Sequence, residues 1–154
     1  RGVTRYMCER NHSGLFFTCA LVEQLGRDLK LKRCDVVKAL DLNGVQMVLS
    51  HADVFHCEPI EKVSDDMQQH FALPHGQFDN VAAARYAVPD VWTMGKVYAR
   101  LIEDVSEQDD AAETLVAVYT SWIDEKLCDY NSSFYYQSRD YIAECYRAGR
   151  VLDA

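Results

Sequence analysis

The sequence is poor in residues that interrupt regular structure, with only 7 glycines and 3 prolines among 154 residues. Long linkers without secondary structure are therefore not expected. No apolar run approaches the roughly 20 residues that a membrane-spanning helix needs. With 49% hydrophobic and 26% charged residues, the composition is that of a globular protein. We expect one domain over residues 1–154, located in the cytoplasm.

Most common catalytic and nucleotide-binding motifs are also missing. The chain has no G-x-S-x-G elbow, no G-x-x-x-x-G-K-[ST] phosphate loop, no G-x-G-x-x-G and no H-E-x-x-H. It has no C-x-x-C pair either, which excludes a zinc ribbon and a thioredoxin-like redox motif. We expect no cofactor, and an enzyme is the less favoured interpretation.

Hydrophobic residues recur at helical spacing along almost the whole chain. Ile60, Val63, Met67 and Phe71 follow Pro59 and form one apolar stripe between charged residues. The same pattern predicts helices over residues 15–29, 35–40 with Asp35 as cap, 91–105, 111–127 and 138–148. The predicted fold class is all-α, a single-domain bundle of about six or seven helices. A short hairpin near residues 45–57 is the alternative for that segment.

Charge divides the chain unevenly. Residues 1–50 carry 8 basic and 5 acidic side chains, whereas residues 51–154 carry 8 basic and 19 acidic ones. The N-terminal third is therefore basic and the remainder acidic, within a net charge of -8. The basic residues between Arg27 and Lys38 are either solvated or form a docking patch for an acidic partner. We expect no nucleic acid and no membrane among the partners.

Six cysteines are dispersed through the chain, at positions 8, 19, 34, 57, 128 and 145. Cys19 and Cys145 lie inside apolar helical patterns. This placement is typical of buried free thiols in a reducing compartment, and we expect all six to be unpaired.

One short segment collects metal-ligand and nucleophilic side chains. Between His51 and Glu58 lie two imidazoles, one thiol and two carboxylates. These are zinc-binding groups, and His51, Asp53 and His56 are the candidate ligands. The spacing of five between the histidines does not place both on one helical face. The favoured interpretation is therefore structural, with the histidines capping helix ends or bonded to backbone carbonyls.

Aromatic residues concentrate near the C-terminus, where residues 119–146 hold eight of the 17 aromatic side chains. Core packing accounts for some of them, and a partner or homodimer interface for others. The candidate interface residues are Trp122, Tyr130, Phe134, Tyr135 and Tyr136. Residues 134–136 are consecutive, and neighbours on a helix point about 100° apart. At least one of these three rings is expected to face outward.

Residues 15–71 resemble a group of small uncharacterised helical proteins of gut Firmicutes. The resemblance rests on an apolar helix, a short second helix, the run from Phe55 to Glu58 and the acidic amphipathic helix that follows. The group typically has Leu-His where this chain has Phe55 and His56, and Pro59 departs from its pattern. Members are often encoded beside ADP-ribosyltransferase-like toxin proteins. The resemblance implies a bacterial regulatory, antitoxin-like protein that acts through protein contacts.

Taken together, these features predict a protein–protein interaction or regulatory module whose partner is another protein or a second copy of the chain. The alternative is a small metal-dependent or Cys/His enzyme that uses the segment from His51 to Glu58.

Overall fold

The computed structural model describes residues 2–108 and 110–153, with side chains described from Gly14 onward. Within these residues there are seven α-helices, one 3₁₀ helix and no strand, so the all-α prediction is confirmed. The helices are α1 (Gly2–Leu29), α2 (Arg33–Phe55), α3 (Ile60–Phe71), α4 (Val91–Val105), α5 (Ala111–Tyr119), α6 (Ile123–Leu127) and α7 (Arg139–Ala148), and the 3₁₀ helix is Phe134–Tyr136.

The hairpin alternative near residues 45–57 is wrong, because α2 continues through Phe55. Val45, Val48 and Ala52 are buried on one side of this helix. Their spacing of three and four residues is helical, whereas a strand would alternate every second residue.

A kink at Asp41 divides α2. Asp41 adopts φ 57° and ψ -175°, outside helical geometry. Its Oδ1 accepts hydrogen bonds from the backbone N–H groups of Asn43 and Gly44 at 2.9 and 3.2 Å. The aspartate therefore starts the second half of the helix as an N-cap residue does. The helix predicted over residues 35–40 therefore ends at this break, and α2 resumes after it and continues to Phe55.

Other helix boundaries follow local signals with three exceptions. The first is α1, which begins at Gly2 instead of residue 15. Ser138 caps α7 by accepting a hydrogen bond from the Tyr141 N–H, and Gly149 ends the helix with a positive φ of 76°. Asp35, in contrast, lies in the first turn of α2 instead of capping it. The single helix predicted over residues 111–127 is two helices, and Asp110 makes no capping hydrogen bond there.

α1 lies at the centre of the bundle, where it packs against α2, α3 and α4. Its contact with α4 is close: a Cβ added to Gly95 would lie 2.8 Å from the backbone nitrogen of Ala20. Glycine at this position therefore lets the two helices approach. The core fills the space between the helices with aliphatic side chains and with Tyr98 and Tyr119, whose rings stack at 4.1 Å.

A long connection over residues 72–90 joins α3 to α4 and runs past the C-terminal end of α1. The Gly76 N–H donates to the Leu29 carbonyl, and the Phe78 N–H donates to the Lys30 carbonyl, each at 2.8 Å. The connection also reaches the turn after α6, where Asn131 Oδ1 accepts from the Arg85 N–H. These bonds hold an irregular segment against two helix ends.

Candidate functional site

The residues predicted as metal ligands lie on the surface at the C-terminal end of α2. His51, Asp53 and His56 are all exposed. The Nδ1 atom of His51 is 2.9 Å from the carbonyl oxygen of Met47, one turn earlier. That contact with a backbone carbonyl is the structural role that the sequence favours over a metal site for His51. Across the described side chains, no group of three or more His, Cys, Asp or Glu residues could hold a metal ion.

The five candidate interface residues divide into core and surface. Tyr130 and Phe134 are buried, with 3% and 6% of their surface exposed. Trp122 and Tyr135 are half-buried, and Tyr136 is exposed at 68%. The expectation that one of the three consecutive rings faces outward is therefore confirmed, by Tyr136. The two buried rings belong to the chain's own core.

Part of the basic cluster predicted between Arg27 and Lys38 is internal. Arg33 is fully buried, and Arg27 is half-buried. Lys30 forms an ion pair with Asp79 at 3.3 Å. The alternative of a basic docking patch is wrong for Arg27 and Arg33, since their charges are paired with Glu23 inside the chain, whereas Lys30 stays exposed.

The partner of both arginines is Glu23, a buried carboxylate on α1. Arg33 donates to Glu23 through Nε at 3.0 Å and through a terminal nitrogen at 2.8 Å, and Arg27 Nε donates at 2.7 Å. The Tyr130 hydroxyl donates to the same carboxylate. Asn80 joins the network by accepting from Arg33 at 3.1 Å. We call these five residues the Glu23 cluster.

The charges of this cluster keep the carboxylate ionised. Burial alone would raise the pKa of Glu23, but the hydrogen bonds and positive charge of Arg33, together with the charge of Arg27, lower it below the ordinary value. Burial and the negative charge of Glu23 raise the pKa of the Tyr130 phenol, which therefore stays protonated and can donate. A buried ion pair of this kind is costly to break from one side.

Asp124, on α6, is a second buried carboxylate near the beginning of α2. Its Oδ1 accepts from the Tyr98 hydroxyl at 2.6 Å, and its Oδ2 accepts from the Cys34 backbone N–H at 3.1 Å. Cys34 lies in the first turn of α2, so Asp124 caps that helix from a position 90 residues away in sequence. Cys128 also lies within sulfur hydrogen-bonding distance of Oδ1, at 3.6 Å.

In contrast to Glu23, Asp124 forms no ion pair within 4 Å among the described residues. Its close donors are neutral groups. Burial raises the pKa of Asp124 above its ordinary value, and the bonds from Tyr98 and Cys34, together with the more distant charge of Arg33, only partly offset this effect. Desolvation therefore outweighs the favourable contacts at Asp124, whereas at Glu23 the hydrogen bonds and charges of the arginines together outweigh desolvation.

Asp124 lies at the wall of a cleft of about 600 Å³, a volume within the range of ligand pockets. The cleft is bounded by the connection between α3 and α4, the beginning of α2 and the region around α6. Three aromatic residues line it, namely Phe78, Trp122 and Tyr130 of the Glu23 cluster. We call this space the α6 cleft.

The lining of the α6 cleft is unsuited to thiol chemistry. Cys34 and Cys128 both line it. Burial and the negative charge of Asp124 raise the pKa of each thiol, so neither is activated as a thiolate nucleophile. None of the described residues around the cleft is a histidine that could act as base.

Each cysteine whose side chain is described is free, and Cys8 lies outside that range. Cys19 and Cys145 are buried, as their helical patterns predict. Burial raises the pKa of Cys19 to about 12, which makes its thiol unreactive at neutral pH.

Sequence reasoning missed both carboxylates, although one left a signal. Glu23 follows directly after the apolar run of α1 and precedes Arg27 by four residues. An acid on the buried side of a helix, one turn from an arginine, indicates an internal ion pair. Asp124 left no such signal, because it stands next to Glu125 and Lys126 in a segment that resembles a solvated helix.

No family model, curated protein or solved structure matches the chain. None of the helices in the described part of the chain is long and apolar enough to cross a membrane.

Proposed function

We propose that the chain is a protein–protein interaction module, of the regulatory, antitoxin-like kind that the resemblance implies. The contact surface in this proposal is the α6 cleft with the exposed ring beside it. The observation that supports it is a row of ring contacts that leads from Tyr130, which lines the cleft, through Tyr135 to the outward-facing Tyr136.

Tyrosine rings link the cleft to the outer surface. Tyr130 lines the cleft and contacts Tyr135 edge-on, with ring centroids 6.0 Å apart. Tyr135 in turn contacts Tyr136 at 5.0 Å. Rigid amphipathic rings at the edge of a concave surface are typical of the residues that carry binding energy in protein interfaces. Buried Tyr130 holds this row in position, and Trp122 and Tyr136 are available for contact.

A selection from a random peptide display library tests this proposal. We expect enriched peptides whose measured affinity falls at least about tenfold for Trp122→Ala or Tyr136→Ala, the loss typical of an interface anchor. Trp92→Ala is the matched control for tryptophan because Trp92 is 40% exposed and lies outside the cleft lining. Tyr86→Ala controls for Tyr136, since the two rings are 67% and 68% exposed.

Sedimentation velocity of the unliganded chain tests the second kind of partner, which is another copy of the chain. If the chain self-associates through this surface, Tyr136→Ala and Tyr135→Ala lower the oligomer mass, whereas Tyr86→Ala leaves it unchanged. The proposal is overturned if neither peptide binding nor self-association depends on Trp122 or Tyr136.

A further inference from the structure

We infer that the partner segment that enters the α6 cleft is basic and directs an arginine side chain toward Asp124. This inference rests on the proposed function and adds the chemistry of the partner.

The charge of the cleft favours a cation. Four carboxylates line it, from Asp79, Asp124, Glu125 and Asp129. Asp79 is paired with Lys30, and the other three carboxylates outnumber the two ammonium groups of Lys32 and Lys126. Both lysines and Glu125 are exposed, so these side chains can move aside or pair with one another. An anionic partner segment would instead meet a net negative lining and be repelled.

The hydrogen bonding of Asp124 leaves room for a further donor. An ionised carboxylate oxygen accepts two hydrogen bonds, and Oδ2 of Asp124 receives one, from the Cys34 N–H. Cationic partners within 4 Å are missing among the described side chains. A guanidinium group would supply both the missing charge and a donor to Oδ2.

The aromatic walls favour arginine over lysine. A guanidinium group is planar and weakly hydrated, and it stacks on aromatic faces, whereas an ammonium group is compact and strongly hydrated. Phe78 and Trp122 provide such faces. The Lys32 Nζ atom already lies 6.0 Å from the centre of the Phe78 ring, so this wall accepts a cation within the chain itself.

Calorimetric titration with defined peptides tests the inference. The probe is acetyl-Gly-Arg-Ala-Arg-Gly-amide, compared with the same peptide carrying citrulline, lysine or glutamate in place of arginine. Citrulline keeps the shape of arginine and removes its charge. We expect the arginine peptide to bind at least about tenfold more tightly than the citrulline and glutamate peptides, and more tightly than the lysine peptide.

A double variant, Glu125→Gln with Asp129→Asn, tests whether the arginine peptide binds in the α6 cleft. Both side chains are exposed and line the cleft, and asparagine keeps the acceptor through which Asp129 binds the Asn131 N–H. We expect about three- to tenfold weaker binding of the arginine peptide. The matched control, Glu61→Gln with Asp65→Asn, removes the same charge from exposed positions of α3.

The outcomes separate this inference from the proposed function. The inference of a basic partner is overturned if the arginine and citrulline peptides bind equally well. It is also overturned if the two double variants lose the same affinity for the arginine peptide. In that case, the proposed function still holds if neutral or acidic peptides from the library bind and their affinity depends on Trp122. If no peptide of any charge depends on Trp122 or Tyr136, both fail.

Discussion

Glu23 and Asp124 are buried carboxylates that meet consecutive residues of α2, yet they are stabilised in opposite ways. Glu23 binds the Arg33 side chain, and two guanidinium groups lower its pKa. Asp124 binds the Cys34 backbone and the Tyr98 hydroxyl, and burial raises its pKa. Glu23 is therefore paired with charge inside the fold, whereas the close donors of Asp124 are neutral, which is the basis for the proposed arginine of the partner.

The largest effect is expected from breaking the Glu23 cluster. Arg33→Met leaves Glu23 buried with only Arg27 and Tyr130 as close partners, and a buried pair broken from one side typically costs about 3–5 kcal/mol. Lys38→Met, at an exposed position of the same helix, is the control and should change the free energy of unfolding by less than about 0.5 kcal/mol. Urea denaturation measures both. Similar values for the two variants would contradict the anchoring role of Arg33.

A smaller loss is expected where the backbone makes room for Arg33. A Cβ at position 26 would lie 2.3 Å from Cδ of Arg33 and 2.6 Å from its Nε. Gly26→Ala must therefore displace the guanidinium, and we expect a cost of about 1–3 kcal/mol.

The matched control is Gly14→Ala, where the nearest heavy atom would be 3.5 Å away. Because alanine favours the helix, this change should be neutral or stabilise by up to about 1 kcal/mol. Thermal and urea unfolding of both variants check the prediction, which fails if Gly26→Ala is as stable as Gly14→Ala.

Loss of the Tyr98 hydroxyl should affect Asp124 and leave the Glu23 cluster intact. Tyr98→Phe retains the ring stacked on Tyr119 and removes the 2.6 Å hydrogen bond to Asp124. Leaving this buried acceptor with one donor fewer should cost about 1–3 kcal/mol. Tyr136→Phe removes a hydroxyl from an exposed ring and should cost nothing measurable. A Tyr98→Phe variant as stable as wild type would show that solvent in the cleft already satisfies Asp124.

The two carboxylates should respond to pH with opposite sign. Because the pKa of Glu23 is lower in the folded than in the unfolded chain, its stabilisation is present above about pH 4 and is lost as pH falls through its folded pKa. The pKa of Asp124 is raised by folding, so its ionisation destabilises the fold at neutral pH, and the penalty disappears below about pH 4.

Unfolding free energies measured from pH 3 to 7 for Glu23→Gln and Asp124→Asn test this difference. The deficit of Glu23→Gln should shrink as pH falls, because wild type loses the same interaction. The free energy of Asp124→Asn relative to wild type should be most favourable at neutral pH and decline toward acid pH. If the free-energy difference from wild type changes with pH in the same direction for both variants, the opposite pKa shifts of Glu23 and Asp124 are contradicted.

The smallest expected effect is that of a chelator. A metal bound near Asp124 would provide the missing cation, and one at His51, Asp53 and His56 would revive the metal-dependent alternative. We expect substoichiometric zinc in the purified protein by elemental analysis, and an unchanged Tm after chelation. One bound metal per chain, with a large fall in Tm after chelation, would contradict both the interaction module and the contrast drawn between Glu23 and Asp124.

Local sequence patterns predicted where most of the helices lie but not the site. The stripe of α3 and the helix over residues 138–148 each depend on neighbours within one or two turns, and these predictions agree with the structure. The pairing of Tyr130 with Glu23 spans 107 residues, and that of Asp124 with Cys34 spans 90. Periodicity carries no information about such contacts.

The sequence by itself therefore determined an all-α chain, because helical periodicity, caps and the scarcity of glycine and proline act over short distances. It also determined that one of three consecutive rings faces outward, since the helical angle between neighbours requires it. Only the tertiary structure decided that Tyr130 is internal, that Arg33 neutralises Glu23, and that Asp124 faces a cleft. Those outcomes depend on which helix ends meet, and burial and charge pairing act on side chains that the fold brings together from distant parts of the chain.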